Sequence, residues 1–296
     1  MSEQSLPRPR LGFIGLGNMG TPMSRRLVDA GFTVTGTDLS QENRARLEQA
    51  GGTAVATAID VAATSDVLIL MLPNSAIVES VLLDDGVAAA LPASAVIVDM
   101  SSSEPLRTRA LAERLAADNL AQLVDAPVSG GVGGAEKGSL TIMAGGDAAT
   151  IEALSPVLSV LGRVRHTGAV GSGHALKALN NLLSATHLLA TSEAMVAGQE
   201  FGLDPQTMLD VFNSSSGRSG STENKWPNFV LPGGYNSGFG LGLMLKDMRI
   251  ATQLAEDIHR PSLLGSCAVE LWTKAAGELD PTADHTEIAR WAGHNG

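Results

Sequence analysis

From Leu11 to about Thr167 short apolar runs alternate with amphipathic stretches. The runs fall at 11–14, 33–37, 67–72, 95–98 and 121–124, and the helix-like segments near 20–30, 41–50, 75–83 and 105–117. Such alternation predicts βα units in a parallel, doubly wound sheet, with ligands at the carboxyl ends of the strands. A further strand at 139–144 and a helix at 148–158 complete this region. After Gly168-Ala169-Val170-Gly171-Ser172-Gly173 the character changes. Residues 174–200 hold no proline and no glycine before Gly198, which suits one long helix, and Gly202 and Pro205 punctuate its end. The rest reads as helices joined by a Gly/Ser/Asn-rich loop, 213–242. The expected fold is α/β: a Rossmann-type doubly wound domain over 1–167, then an all-helical domain over 168–296, joined by the long helix.

The end of the first run is the most informative segment. Phe13-Ile14-Gly15-Leu16-Gly17-Asn18-Met19-Gly20 carries the spacing G-x-G-x-x-G between a strand and a helix. Gly15 permits a tight turn, Gly17 lets a pyrophosphate approach the backbone, and Gly20 lets the helix close on the sheet. The helix N-terminus offers free N–H groups to the anion. Asp38, at the end of the second run, is placed to accept hydrogen bonds from both ribose hydroxyls. It would repel a 2′-phosphate, so NAD is expected over NADP. Arg44 and Arg46 stand a helical turn or more beyond it. Read as turn chemistry alone, Asp38 is also an ordinary strand-end residue.

Composition narrows the classes. A chain of 296 residues accommodates two domains, and an aromatic fraction of 3% leaves the core to Ala, Val, Leu, Ile and Met. The net charge of −11 argues against nucleic acid and an anionic membrane as partners. Residues 1–10 lack the apolar core of a signal peptide, and the longest strongly apolar stretch, 67–72, is too short to span a bilayer. The lone Cys267 excludes an internal disulfide and is expected as a buried thiol in a reducing cytoplasm.

Several chemistries lack their residues. The six histidines are scattered without metal-site spacing, and His285 and Glu287 read as solvated residues of a polar turn, so no metal is expected. The run 133–139 has lysine before glycine, the wrong order for a P-loop, and no G-x-S-x-G elbow is present. Lys177 remains, in an early turn of the long helix, with Asn181 four residues on along the same face. The positive end of the helix dipole and a nicotinamide cation both disfavour an ammonium there, the condition for a general acid/base. Spacing alone favours reading Lys177 as a solvated helix lysine, since most lysines are solvated. Asp125-Ala126-Pro127-Val128-Ser129-Gly130-Gly131, at a strand end, reads either as a carboxylate-binding loop or as a plain turn. Lys246-Asp247 reads as a solvated pair.

Together these segments resemble the β-hydroxyacid dehydrogenase family, in particular its 3-hydroxyisobutyrate dehydrogenases. The likeness runs from Gly12 to about Trp272. It is carried by the glycine motif at 12–20, the segment 125–133, Gly171-Ser172-Gly173 with Lys177, Asn180 and Asn181, and Gly238-Phe239-Gly240 leading to Lys246-Asp247. The resemblance implies Lys177 as acid/base on the substrate hydroxyl and Asn181 orienting the substrate. Ser129, Gly130, Gly131 and Asp247 would bind the substrate. Leu16, Asn18, Met19, Leu72, Pro73, Ser102 and Lys246 would join the glycines and Asp38 around NAD. It also implies a homodimer or homotetramer built on the helical domain. One departure stands out: after Ser215-Ser216-Gly217-Arg218 the related enzymes have Cys-Trp, whereas this chain has Ser219-Gly220. Losing the indole would widen the pocket, and Arg218 is a candidate contact for a carboxylate or sulfonate.

The expected activity is NAD-dependent interconversion of a small 3-hydroxy acid and its semialdehyde or 3-oxo acid. The alternatives are tartronate semialdehyde reductase, an enzyme of a sulfonate-bearing hydroxyacid and, from another class, a non-catalytic NAD sensor.

Overall fold

The computed structural model describes residues 8–295; residues 1–7, part of the segment read above as lacking a signal-peptide core, lie outside the described residues. The chain separates into two compact units, 1–177 and 178–296.

The first unit is built on one mixed sheet. Its strands are β1 (Leu11–Ile14), β2 (Val34–Thr37), β3 (Thr53–Ala54), β4 (Val67–Leu70), β5 (Val96–Asp99), β6 (Gln122–Asp125), β7 (Val128–Ser129), β8 (Leu140–Gly145) and β9 (Gly162–Gly168). They run in the order β3-β2-β1-β4-β5-β6-β8-β7, with β9 paired to β8. The pairs from β3 to β6 are parallel, and β8 lies antiparallel to β6 and β7. This is the dinucleotide-binding order, whose direction reverses between β1 and β4.

The strands read as unbroken apolar runs because both sheet faces are covered. Leu11, Phe13, Ile69, Val98 and Val124 point to one core, and Ile14, Leu68, Leu70 and Ile97 to the other. On the first side Met23 and Leu27 of α1 (Gly20–Asp29), Leu47 of α2 (Gln41–Gln49), Ala135 of α7 (Gly131–Lys137) and Leu154 and Leu158 of α8 (Ala148–Leu161) close over the sheet. The opposite side is covered by α3 (Ala58–Ala62), α4 (Ser75–Glu79), α5 (Val87–Ala90) and α6 (Pro105–Ala117). Of the first unit's elements, β3, β7, β9, α3, α5 and α7 do not show in the apolar pattern. Strand β9 is an edge whose side chains are mostly half-buried or exposed, and α7 begins at Gly131, the last residue of the segment 125–131 read as a loop or turn.

The long helix α9 (Ser172–Glu200) bridges the division of the chain. In the second unit its residues Ala178, Leu182, Ala185, Leu189 and Met195 form a buried stripe at helical spacing. Against it lie α10 (Pro205–Asn213), α11 (Leu241–Asp257), α12 (Leu263–Glu278) and α13 (Ile288–Asn295). The three tryptophans, Trp226, Trp272 and Trp291, all sit in this core. The rarity of aromatics along the chain therefore does not mean their absence from its interior.

Three sequence expectations are corrected here. The span 213–242 is not all loop, because Ser221–Val230 coils as a π-helix anchored by buried Trp226 and Val230. Pro227 removes one backbone donor, and the segment closes with Leu231 N–H donating to Trp226 O at 2.8 Å. Cys267 is exposed. The core face of α12 carries Gly265, Ala268, Trp272 and Ala275, and Cys267 falls on the opposite side of the helix. His285 is only 1% exposed, its Nδ1 3.0 Å from Phe239 O, so the turn read as polar and solvated is a packed joint.

Candidate functional site

At the carboxyl end of β1 the glycine motif does what its spacing predicts. Gly15 has φ +96°, and a Cβ there would lie 2.3 Å from Met71 O; at Gly20 it would lie 1.9 Å from Gly15 O. Gly17 differs, since a Cβ there would meet nothing within 4 Å. The opening in front of Gly17 adjoins the start of α1, whose first turn has no side-chain cap and no acidic residue. Open backbone beside an uncapped helix N-terminus fits a pyrophosphate. Asn18 and Met19 complete the turn.

Asp38 belongs to the same edge. Leu16 N–H donates to its Oδ2 at 2.7 Å, and Ser40 N–H and Asn43 Nδ2 donate to Oδ1 at 2.8 and 3.2 Å. The carboxylate thus ties the glycine loop to the end of β2; Oδ1 already accepts twice, and Oδ2, which accepts once, keeps a lone pair for a ribose hydroxyl. Arg44 is nearer than its sequence distance suggests. The first turn of α2 brings its guanidinium back to the carbonyl oxygens of Asp38 and Leu39. Leu72 packs beside Gly15 and its N–H donates to Ser101 Oγ at 2.9 Å. Pro73 is exposed and Ser102 half-buried, at the ends of β4 and β5.

Ser129 closes β7, half-buried, and Gly130 and Gly131 follow with φ of +135° and +63°. Lys177 lies in the second turn of α9 and is 9% exposed, which sets it apart from a solvated helix lysine. One turn on, Asn181 is 5% exposed, and its Nδ2 donates to Asp247 Oδ2 at 2.6 Å. The Asp247 carboxylate is 1% exposed and its Oδ1 stands 3.1 Å from Lys246 Nζ. Lys246-Asp247 is therefore a largely buried pair, with the acid turned onto Asn181.

In the second unit a cavity of about 290 Å³ is lined by His187, Thr191, Phe212, Arg218, Ser219 and Thr222 among others. Ser219 caps the π-helix, accepting from Ser221 N and Thr222 N, and Arg218 pairs with Glu223 at 2.6 Å. Sequence reasoning missed a set of buried polar residues in the first unit, with His174 at their centre. The only signals in the chain were acids closing two successive strands, Asp99 and Asp125.

Among the described residues no cluster of metal-ligating side chains occurs, and no helix is long and apolar enough to cross a membrane. Residues 10–171 match the NAD-binding domain of 6-phosphogluconate dehydrogenase, and 171–292 match the NAD-binding domain of NADP-dependent 3-hydroxyisobutyrate dehydrogenase. The 2-(hydroxymethyl)glutarate dehydrogenase of Eubacterium barkeri is 41% identical over 89% of this chain and 88% of its own length. The human mitochondrial 3-hydroxyisobutyrate dehydrogenase is 37% identical over 88% of this chain and 80% of its own. A solved 3-hydroxyisobutyrate dehydrogenase from Mycobacterium tuberculosis, studied with L-serine, superposes with a TM-score of 0.89 at 31% identity, covering 96% of this chain and 99% of that one. The chain belongs to the β-hydroxyacid dehydrogenases, NAD(P)-binding oxidoreductases acting on CH–OH groups, with the 3-hydroxyisobutyrate dehydrogenases among its relatives.

Proposed function

We propose that the protein oxidises a small 3-hydroxy acid with NAD, using Lys177 as the acid/base. The observation that carries this reading is the burial of Lys177 at 9% exposure, one turn before an asparagine whose amide is held by a buried carboxylate. An amine kept from bulk water on a rigid helix is suited to take the hydroxyl proton as the carbinol hydride departs. Bound nicotinamide supplies the hydride acceptor. Asn181, fixed by Asp247, orients the substrate, while Ser129 with the Gly130-Gly131 backbone binds its carboxylate. The Asp38 carboxylate favours NAD over NADP. In this reading residues 1–167 hold the cofactor and 168–296 serve substrate binding and assembly.

The test is NADH formation from a panel of 3-hydroxyisobutyrate, 3-hydroxypropionate, glycerate, serine, 2-(hydroxymethyl)glutarate and a hydroxypropane sulfonate, with Lys177→Ala beside the parent. One preferred acid, with kcat lowered by about 10²–10⁴-fold in Lys177→Ala and NADH still bound, supports the proposal. NADH binding without turnover of any acid would instead favour a sensor. Preference for the sulfonate, or for glycerate, the reduced form of tartronate semialdehyde, would move the substrate assignment and leave the chemistry intact.

A further inference from the structure

Six polar side chains are buried together in the first unit: Asp99, Ser101, Ser103, Thr108, Asp125 and His174, each no more than 3% exposed. They come from the ends of β5 and β6, the first turn of α6 and the first turn of α9. Asp125 caps α9 from outside the helix. Gly171 N–H donates to its Oδ1 at 2.6 Å and His174 N–H to its Oδ2 at 2.8 Å, satisfying two donors of the helix start. The approach is tight, since a Cβ on Gly173 would lie 2.1 Å from Met143 O. Asp99 holds the next loop, accepting from Ser101 N–H and Ser103 Oγ, both at 3.0 Å.

The His174 ring joins the two systems. Its Nε2 lies 3.1 Å from Ser101 O, which only accepts, so Nε2 carries the hydrogen and donates. Its Nδ1 is then the acceptor and takes the single hydrogen of Thr108 Oγ1 at 2.8 Å, in preference to that hydroxyl's longer 3.1 Å approach to Glu104 O. The carboxylates of Asp99 and Asp125 stand 3.7 and 3.9 Å from the two ring nitrogens, close enough to act on the ring by charge without a direct bond. Burial pushes the Asp125 carboxyl up, and the His174 ring and the amide donors oppose that. Ser101 extends the chain of bonds to Leu72, whose N–H meets its Oγ.

So much buried polarity is an expensive way to fix a helix, because apolar side chains of similar shape would pack as stably. It gives placement instead. His174 stands one turn before Lys177 on the same side of α9, and its ring is fastened to the β5 end that carries Ser102 and, through Ser101, to Leu72. We infer that His174 is a positioning residue, locking the first turn of α9 to the ends of β4 and β5 and so setting Lys177 against the cofactor edge of the sheet. The inference rests on the reading of Lys177 as acid/base.

The test uses the full-length protein with Thr108→Val, which removes the Nδ1 partner at nearly constant volume, together with His174→Leu and His174→Gln. Four quantities are read: kcat, KM for the preferred hydroxyacid, NADH affinity by fluorescence, and the ¹³C signal of reductively methylated Lys177, assigned by its absence in Lys177→Arg. His174→Leu is expected to lower kcat about 10²-fold, as for a catalytic group misplaced by roughly 1 Å. KM and NADH affinity stay within threefold, and the Lys177 signal moves. Thr108→Val gives a smaller loss and a smaller displacement in the same sense. His174→Gln, whose amide can still donate to Ser101 O, recovers much of kcat. Parental kcat and an unmoved Lys177 signal in both Thr108→Val and His174→Leu would overturn the inference. So would a kcat loss matched by equal loss of NADH binding and thermal midpoint in all three variants, the mark of a merely structural prop. If Lys177→Ala keeps parental turnover, it is the acid/base reading that fails, and the Lys177 signal still reports whether His174 sets that side chain.

Discussion

At the level of single residues, Asp38 combines two tasks that its place in the sequence could not separate. It fastens the glycine loop through Leu16 N–H, and in the proposed function its negative charge opposes a 2′-phosphate. Arg44, folded back onto the carbonyls of Asp38 and Leu39, supplies positive charge at the same edge, so in the proposed function the Asp38 carboxylate is the group that opposes NADP. Asp38→Ser is therefore expected to raise kcat/KM for NADP relative to NAD by roughly tenfold or more, the equivalent of about 1.4 kcal/mol. Steady-state kinetics with both cofactors checks this, and an unchanged ratio would mean that something other than Asp38 sets the preference. The tight turn at Gly15 and the close approach at Gly20 were legible in the chain because both follow from local backbone geometry. His174 was not, because its partners lie 66 and 73 residues away and nothing local marks them.

At the level of elements, the joint around Asp284 shows how a loop read as polar becomes part of a core. Ser237 Oγ, the N–H groups of Gly238 and Phe239, and both donors of Thr286 converge on the Asp284 carboxylate. Burial alone would raise its pKa, but hydrogen bonds from His285, Thr286 and Ser237 outweigh that and hold it well below the usual carboxylate range. A depressed folded-state pKa adds stability above the unfolded value, near 4, that is lost as pH falls through the folded value. Asp284→Asn is expected to lose about 1–3 kcal/mol at pH 7, with the gap from the parent closing as pH drops below about 4. Urea denaturation at pH 7 and pH 3 checks the sign; an equal loss at both would rule out the ionised carboxylate as its source. The same segment explains why 213–242 looked like loop. Its Gly, Ser and Asn content is real, yet Trp226, 4% exposed, supplies enough burial to hold a π-helix through Pro227.

For the molecule as a whole, the second unit leaves a face of α9 uncovered. Leu179 and Leu183 are 42% and 59% exposed there, and Leu263 and Leu264 at the start of α12 are 86% and 68% exposed. Gly265 abuts Leu182, which brings the start of α12 alongside this stretch of α9. Apolar surface of this kind suits association of like chains, and we propose it as the contact for the homodimer or homotetramer that the family resemblance implies. Leu183→Glu is expected to shift the protein toward monomer in light scattering coupled to gel filtration. A parental mass for that variant would place the assembly surface elsewhere.

The alternation of apolar runs and the glycine spacing by themselves determined a dinucleotide-binding sheet followed by a helical region, because period and turn chemistry are local properties of a chain. They also singled out Lys177 and Asn181 as neighbours on one helix face, since four residues make about one turn. Tertiary structure alone decided that Lys177 is buried, that Asp247 turns onto Asn181, that Arg44 returns to Asp38, and that Asp125 and His174 clasp the start of α9. Each of these depends on groups brought together from distant segments or neighbouring elements, where burial and hydrogen-bond distance set the outcome and composition carries no record of it.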